Sequence, residues 1–151
     1  MGNNWVDSIN AVHENRVVQY SDPVELLFSD GTDAIATCNR KLICTIPAYS
    51  IILRVMYLRL VAFNSGGNDY LTVGSYADDD LLVDDADISS AAATIPVWVM
   101  TTTLPYYVSA TTPIYASYVY SSTAPTTGQV QVAIEWVPWN VDYAAKVVVG
   151  T

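Results

Sequence analysis

The sequence predicts an all-β fold: a single-domain antiparallel β-sandwich, jelly-roll-like, with extended terminal arms. Three observations carry that expectation. Val, Ile, Thr and Tyr, which fit a pleated and half-buried surface, dominate the 151 residues. Turn signals such as Asp22-Pro23, Ser29-Asp30-Gly31, Ile46-Pro47 and Asn64-Ser65-Gly66-Gly67-Asn68-Asp69 recur at short intervals, and many short strands so punctuated make a sandwich, jelly roll or barrel. Helical periodicity is nearly absent.

The elements follow in order. Arg16–Tyr20, Val24–Phe28, Ile35–Thr37 and Leu42–Ile46 read as short strands. Ser50 to Asn64 reads as one long strand. Arg54 lies on its even face and Arg59 on its odd face, so either a β-bulge between them flips the parity or both faces are covered, one by another subunit. Tyr70 to Ser75 resumes as strand. Asp78 to Ser90 is the best place for a short helix, or for a turn. Pro96–Thr101 and Tyr106–Ser109 are short strands. Ile114–Ser121 and Gly128–Val137 read as an antiparallel hairpin joined through Ala124-Pro125-Thr126-Thr127-Gly128. In the last strand Val130, Val132, Ile134 and Trp136 share a core face, and Gln129, Gln131, Ala133 and Glu135 a wet one. The expected division is an N-terminal arm over 1–15, a sandwich over 16–137 and a C-terminal extension over 138–151.

Composition narrows the function. Charged residues are 14% of the chain against a usual quarter, so much of the surface must be hydroxyl, amide, Tyr or apolar. Monomers rarely expose large apolar patches, which points to cover by other subunits and a homo-oligomer. Six basic against 15 acidic residues give a net charge of −9. Nothing there neutralises phosphates, so neither nucleic acid nor an anionic membrane is an expected partner. The N-terminus has no apolar signal core, and Ser50–Asn64 is too short for the roughly 20 residues of a membrane helix. A cytoplasmic origin is expected, with Cys38 and Cys44 as reduced thiols rather than a disulfide.

No catalytic constellation is visible. The one histidine, His13, lies in the polar N-terminal segment with nothing to orient it. With it, Cys38 and Cys44 fall short of the four ligands of a structural zinc site. Asp78, Asp79, Asp80, Asp84, Asp85 and Asp87 offer carboxylates to a cation such as calcium. Their spacing is not that of an EF-hand, however, and a solvated acidic loop capping strand ends is the plainer reading. No sugar cleft surrounds them as a glycosidase would need. No cofactor, metal or catalytic residue is therefore assigned. The aromatic residues are more informative. Trp5, Trp139 and Tyr143 lie outside the confident strands, and large aromatics anchor interfaces. Tyr106, Tyr107 and Tyr115 belong to a tyrosine-rich stretch that suits either an interface or the core. These six are the candidate subunit-interface residues.

Most of the chain, from about Ile46 to Val137, resembles small tailed-phage virion proteins. Ile46-Pro47-Ala48-Tyr49-Ser50 matches the turn that leads into their long strand. Phe63-Asn64-Ser65-Gly66-Gly67 matches a Gly-rich loop, and Leu71-Thr72-Val73-Gly74-Ser75 a Thr-Val-Gly element. The acidic Ala77-Asp78-Asp79-Asp80-Leu81-Leu82 and the closing Thr126-Thr127-Gly128-Gln129-Val130-Gln131-Val132 complete the pattern. Tyr49 stands where a Gly is common. The resemblance implies a non-enzymatic β-sandwich virion component, first of all a capsid decoration (cement) protein. Such a protein would be trimeric, bind the major capsid protein, assemble in the host bacterial cytoplasm and lie on the capsid exterior. Head-fibre, neck and tail components share such scaffolds, and a carbohydrate-binding module is the alternative from another class.

Overall fold

The computed structural model describes residues 18–34, 37–89 and 105–139, together with the backbone of 97–99. Among the described residues ten strands form two sheets: β1 (Gln19–Tyr20), β2 (Val24–Leu27), β3 (Lys41–Ile46), β4 (Ser50–Val61), β5 (Asp69–Gly74), β6 (Val83–Asp87), β7 (Val97–Val99), β8 (Tyr106–Val108), β9 (Thr112–Tyr120) and β10 (Gln129–Pro138). A 3₁₀ turn, Phe28–Asp30, follows β2. In the first sheet β10 and β4 are central, with β1 and β2 along the free side of β10 and β7 and β8 along the free side of β4. The second sheet runs β3-β9-β5-β6. All strand pairs are antiparallel. The expected all-β antiparallel sandwich is therefore the fold.

The period-two patterns explain which faces meet. Leu26, Ile52, Val55, Val130, Val132 and Ile134 point inward from the first sheet. Ile46, Leu71, Val73, Ile114, Ala116 and Tyr118 point inward from the second, and all twelve are fully buried. Each such aliphatic contributes about 1.5–3 kcal/mol on burial. The edge beside β10 breaks at Pro23, which has no N–H to donate, so the pairing register of β1 and β2 differs by one residue. Ser21 repairs the gap: its amide donates to the Ile134 carbonyl, and its hydroxyl accepts the Ile134 amide, both at 2.9 Å. Between β2 and β3, the buried Asp30 carboxylate accepts the Leu27 amide at 2.7 Å and pairs with Lys41 at 2.7 Å, which holds the crossover to the second sheet.

Several expectations are corrected. The proposed hairpin of Ile114–Ser121 with Gly128–Val137 does not form. β9 pairs with β3 and β5, whereas β10 pairs with β1, β2 and β4, and residues 121–128 carry the chain from one sheet to the other. Both strands have an apolar face, and burying the two against each other across the sandwich uses them better than placing them side by side. The parity of β4 does switch, but not between the two arginines. The pairing with β10 skips Leu53 and Leu60, so the irregularities flank Arg54 and Arg59. The acidic segment is not helical: its second half is β6, an edge strand. The Asp side chains there face solvent and discourage another strand from adding to that edge. Thr37 lies in a turn rather than a strand, its amide donating to the Ala34 carbonyl. Residues 35–36 of that expected strand lie outside the described residues.

Candidate assembly surface

The two ends of the sandwich differ in chemistry. At one end lie the β3–β4 turn (residues 47–49), the β5–β6 loop (75–82), the β8–β9 turn (109–111), the start of β1 and the end of β10. Here Tyr49 is the pivot. Its φ of +60° is the left-handed conformation that favours glycine, at the position where the resembling proteins commonly carry one. The Tyr49 amide donates to the Val108 carbonyl at 2.7 Å, and its carbonyl accepts the Trp139 amide at 2.6 Å. Those two bonds draw β8 and the end of β10 to one corner.

Three large aromatics consequently stand exposed around that corner: Tyr49 (51%), Tyr107 (46%) and Trp139 (41%). Tyr107 registers opposite Ile51 on β4. Its neighbour Tyr106 registers opposite Ile52 and packs against the core. The start of β1 lies at the same end of the first sheet, across β10 from this corner, since Gln19 registers opposite Trp136. Of the six sequence candidates, the fold thus brings Tyr107 and Trp139 together, with Tyr106 beneath them. Trp5 and Tyr143 lie outside the described residues, as does His13. Sequence reasoning missed Tyr49, although its place at a glycine position was a signal.

Tyr115 is elsewhere, and the tyrosine-rich stretch is not one face. Tyr106 and Tyr107 belong to the first sheet, and Tyr115, Tyr118 and Tyr120 to the second. Tyr118 is fully buried, 4.4 Å from the Phe63 ring, and its hydroxyl donates to the buried Asp69. Burial and that carboxylate push the Tyr118 phenol well above its ordinary range. Tyr115 faces outward and meets the edge of Tyr76, the two ring centres 6.2 Å apart, and the Arg40 guanidinium sits 4.9 Å above the Tyr76 ring. Tyr76 is itself 73% exposed and opens the acidic loop.

In that loop Asp78, Asp79 and Asp80 crowd one another. A hydrogen bond with Asp80, then burial and the neighbouring charges, raise the Asp78 carboxyl above its ordinary value. Partial burial and Asp84 raise Asp85. Asp87 is lowered, because its carboxylate accepts the Ser89 hydroxyl and amide at 2.5 and 2.8 Å. No cluster of three or more His, Cys, Asp or Glu among the described residues is arranged to hold a metal ion. Cys38 and Cys44 are free thiols, and burial pushes Cys44 up to about 11, which keeps it protonated and unreactive.

The opposite end is built from the 62–68 and 121–128 loops, and its surface is hydroxyl and amide. Asn64 accepts the amides of Thr126 and Thr127 at 2.8 and 3.0 Å and donates to the Thr126 hydroxyl at 3.0 Å. Asn68 receives Ser121 in the same manner, backbone to backbone at 2.8 Å. These bonds tie the two loops to each other.

No protein-family model matches the sequence, and no curated protein matches it. Two solved structures do share its fold. A chain of the cyanophage Pam1 capsid asymmetric unit superposes with a TM-score of 0.55 at 20% identity, over 82% of this chain and 84% of that one. A chain of the acid-stable capsid of Helicobacter pylori bacteriophage KHP30 superposes with a TM-score of 0.50 at 12% identity, over 80% and 87%. At these identities the likeness is one of fold.

Proposed function

We propose that this chain is a non-enzymatic structural protein of a tailed-phage virion, and within that class a capsid decoration protein that binds the assembled major capsid lattice from outside. The observation that carries the reading is the exposed Tyr49–Tyr107–Trp139 corner, in a fold of the kind found in two phage-capsid structures. The order of strands supports it as well. With β1–β2 and β7–β8 each counted as one position, the sheets run β1/β2-β10-β4-β7/β8 and β3-β9-β5-β6, the order that two Greek keys produce in a jelly roll. Aromatics that are solvent-exposed in the isolated chain gain most by burial against a partner. The arms, 1–15 and 138–151, extend that contact to neighbouring subunits. A protein that binds only the assembled lattice stabilises it by mass action, and repetition over the shell adds avidity.

Tyr49, Tyr107 and Trp139 sit around strand ends at one corner rather than in a line along a sheet face, which favours a protein interface over a carbohydrate-binding module. The deciding experiment mixes purified protein with capsids lacking it and measures co-sedimentation, alongside native mass. Saturable binding to shells but not to free capsid subunits, by a trimer, is the expected result. A monomer that ignores shells and shifts on a glycan array would end the proposal.

A further inference from the structure

The outer face of the first sheet is less polar than its last strand alone suggests. Met56 and Leu58 of β4 lie beside Gln131 and Ala133 of β10, and Pro23 closes the side of a shallow groove. The apolar strip runs on to Leu27 and Val61, which flank Gln129 in register and are 36% and 42% exposed. Its polar groups already have partners. Glu135 is only 3% exposed, paired with Arg54 at 2.6 Å and accepting the Tyr20 hydroxyl at 3.3 Å. The Glu25 carboxylate accepts the Gln129 side-chain amide at 2.7 Å. These rows carry two carboxylates and one guanidinium, in a chain of net charge −9. A strongly charged partner would find little to pair with there. Copies of this chain repel one another most through Asp78 to Asp87, which lie on a loop and edge strand of the other sheet. The nearly neutral face is where copies can meet with those aspartates turned away from each other.

The dimensions of the face fit a three-fold arrangement. With β1–β2 and β7–β8 each filling one position, the sheet is four strand positions wide. At about 4.8 Å per strand that is about 19 Å. Three such faces turned to one axis lie about 5.5 Å from it, close to half of the roughly 10 Å at which sheets pack, so their side chains fill the centre. Four faces would stand about 9.5 Å from the axis and leave a channel. From Gln129 to Val137 the face is about 27 Å long, so three copies cover about 1,500 Å² of flat area, above the roughly 1,000 Å² that a specific interface has to clear. We propose that three copies of this chain pack the outer faces of their first sheets around a three-fold axis, with Met56, Leu58 and Ala133 at its centre. The strands then run along the axis, and the three Tyr49–Tyr107–Trp139 corners stand together at one end of it. The symmetry rests on the trimer of the reading above; the choice of face does not.

The test is sedimentation of the full chain over a wide range of concentrations. The parent is expected to sediment as a trimer. Ala133→Arg is expected to be a folded monomer, its assembly weakened about a hundredfold or more, because three guanidinium groups would meet in an apolar centre. Thr45→Arg, at an exposed position of the second sheet, is the control and should stay trimeric. Should Ala133→Arg fail to fold by circular dichroism, Gln131→Arg takes its place, since Gln131 is polar already and lies on the same face. A folded variant that remains trimeric puts the interface elsewhere, which overturns the inference and leaves the trimer standing. A parent that is monomeric throughout overturns both; if Ala133→Arg then lowers co-sedimentation with capsids, the face belongs to the lattice. A parent dimer that Ala133→Arg splits overturns the three-fold arrangement.

Discussion

The acidic, aromatic end and the hydroxyl-rich end of the sandwich close the same two sheets by opposite means. At the hydroxyl-rich end, the Asn64 side chain and the Asn68 backbone direct their hydrogen bonds into the facing loop. At the aromatic end the backbone bonds of Tyr49 fix the corner, but the rings they position stay in water, beside carboxylates that repel one another. One end is tied together by loop-to-loop hydrogen bonds, and the other leaves large rings exposed. The contrast separates folding from assembly: substitutions at the first end should change stability, and substitutions at the second should change binding.

The largest effect is expected at Gly128, where the hydroxyl-rich loop enters β10. Its φ is +147°, and a Cβ there would stand 2.2 Å from the Phe63 ring. Gly128→Ala should lower unfolding stability by about 3 kcal/mol through overpacking and backbone strain. A change under about 1 kcal/mol in denaturant titration would mean that the loop yields and that this end is not the rigid one. Next is Trp139→Ala, expected to weaken capsid binding roughly 30-fold, as loss of an anchor worth about 2 kcal/mol would. Its unfolding midpoint should move little. Full occupancy on particles would transfer the contact to another surface.

Asn64→Ala follows, with about 1 kcal/mol of stability lost and binding untouched, since its hydrogen bonds are exposed. A fall in binding at constant stability would contradict the division between the ends. Tyr49→Gly sharpens the division within one residue. Glycine relieves the left-handed strain, so stability should hold or rise by up to about 1 kcal/mol, while removal of the ring weakens assembly. If both fall together, the ring has a structural duty.

The smallest effect is pH dependence. Asp78 and Asp85 titrate higher in the folded chain than in the unfolded one, so the folded state takes up their protons first. Stability should therefore rise slightly as pH falls from neutrality to just above the ordinary carboxylate range. Asp87 works in the other direction: its contribution is present above the ordinary carboxylate value and is lost as pH falls below it. Calorimetry on the parent and on Asp78→Asn/Asp85→Asn would check this, the variant losing the rise. A steady fall in the parent from neutrality downward would contradict it.

Alternation in β10, the long β4 and the loop at 64–69 were legible because local choices at those places agree with the global fold. A strand's own residues show which of its faces is apolar. They do not show which strand lies alongside. That is why β9 and β10 read as a hairpin, and why the outer face of β10 read as ordinary wet surface. Met56 and Leu58, which line a shallow groove with Gln131 and Ala133 on that face, and Arg54, which pairs with Glu135, come from a strand seventy or more residues earlier. The aromatic corner was half legible. Trp139 and Tyr107 stand out as bulky residues at or beyond strand ends, but nothing local joins them, and Tyr49 between them reads only as an odd residue at a glycine position.

The sequence by itself determined the class of structure and the chemistry the surface offers: strands with one apolar face, an acidic net charge without a basic stripe, and aromatics in excess of what the core strands need. Tertiary structure alone decided that Tyr49, Tyr107 and Trp139 stand at one corner, that Tyr118 lies in the core, and that the aspartates fall on a loop and an edge strand. The reason is that side-chain period and composition are local quantities, whereas adjacency in a sandwich is set by pairings between distant strands, which form only because burying both apolar faces at once outweighs the entropy of closing long loops.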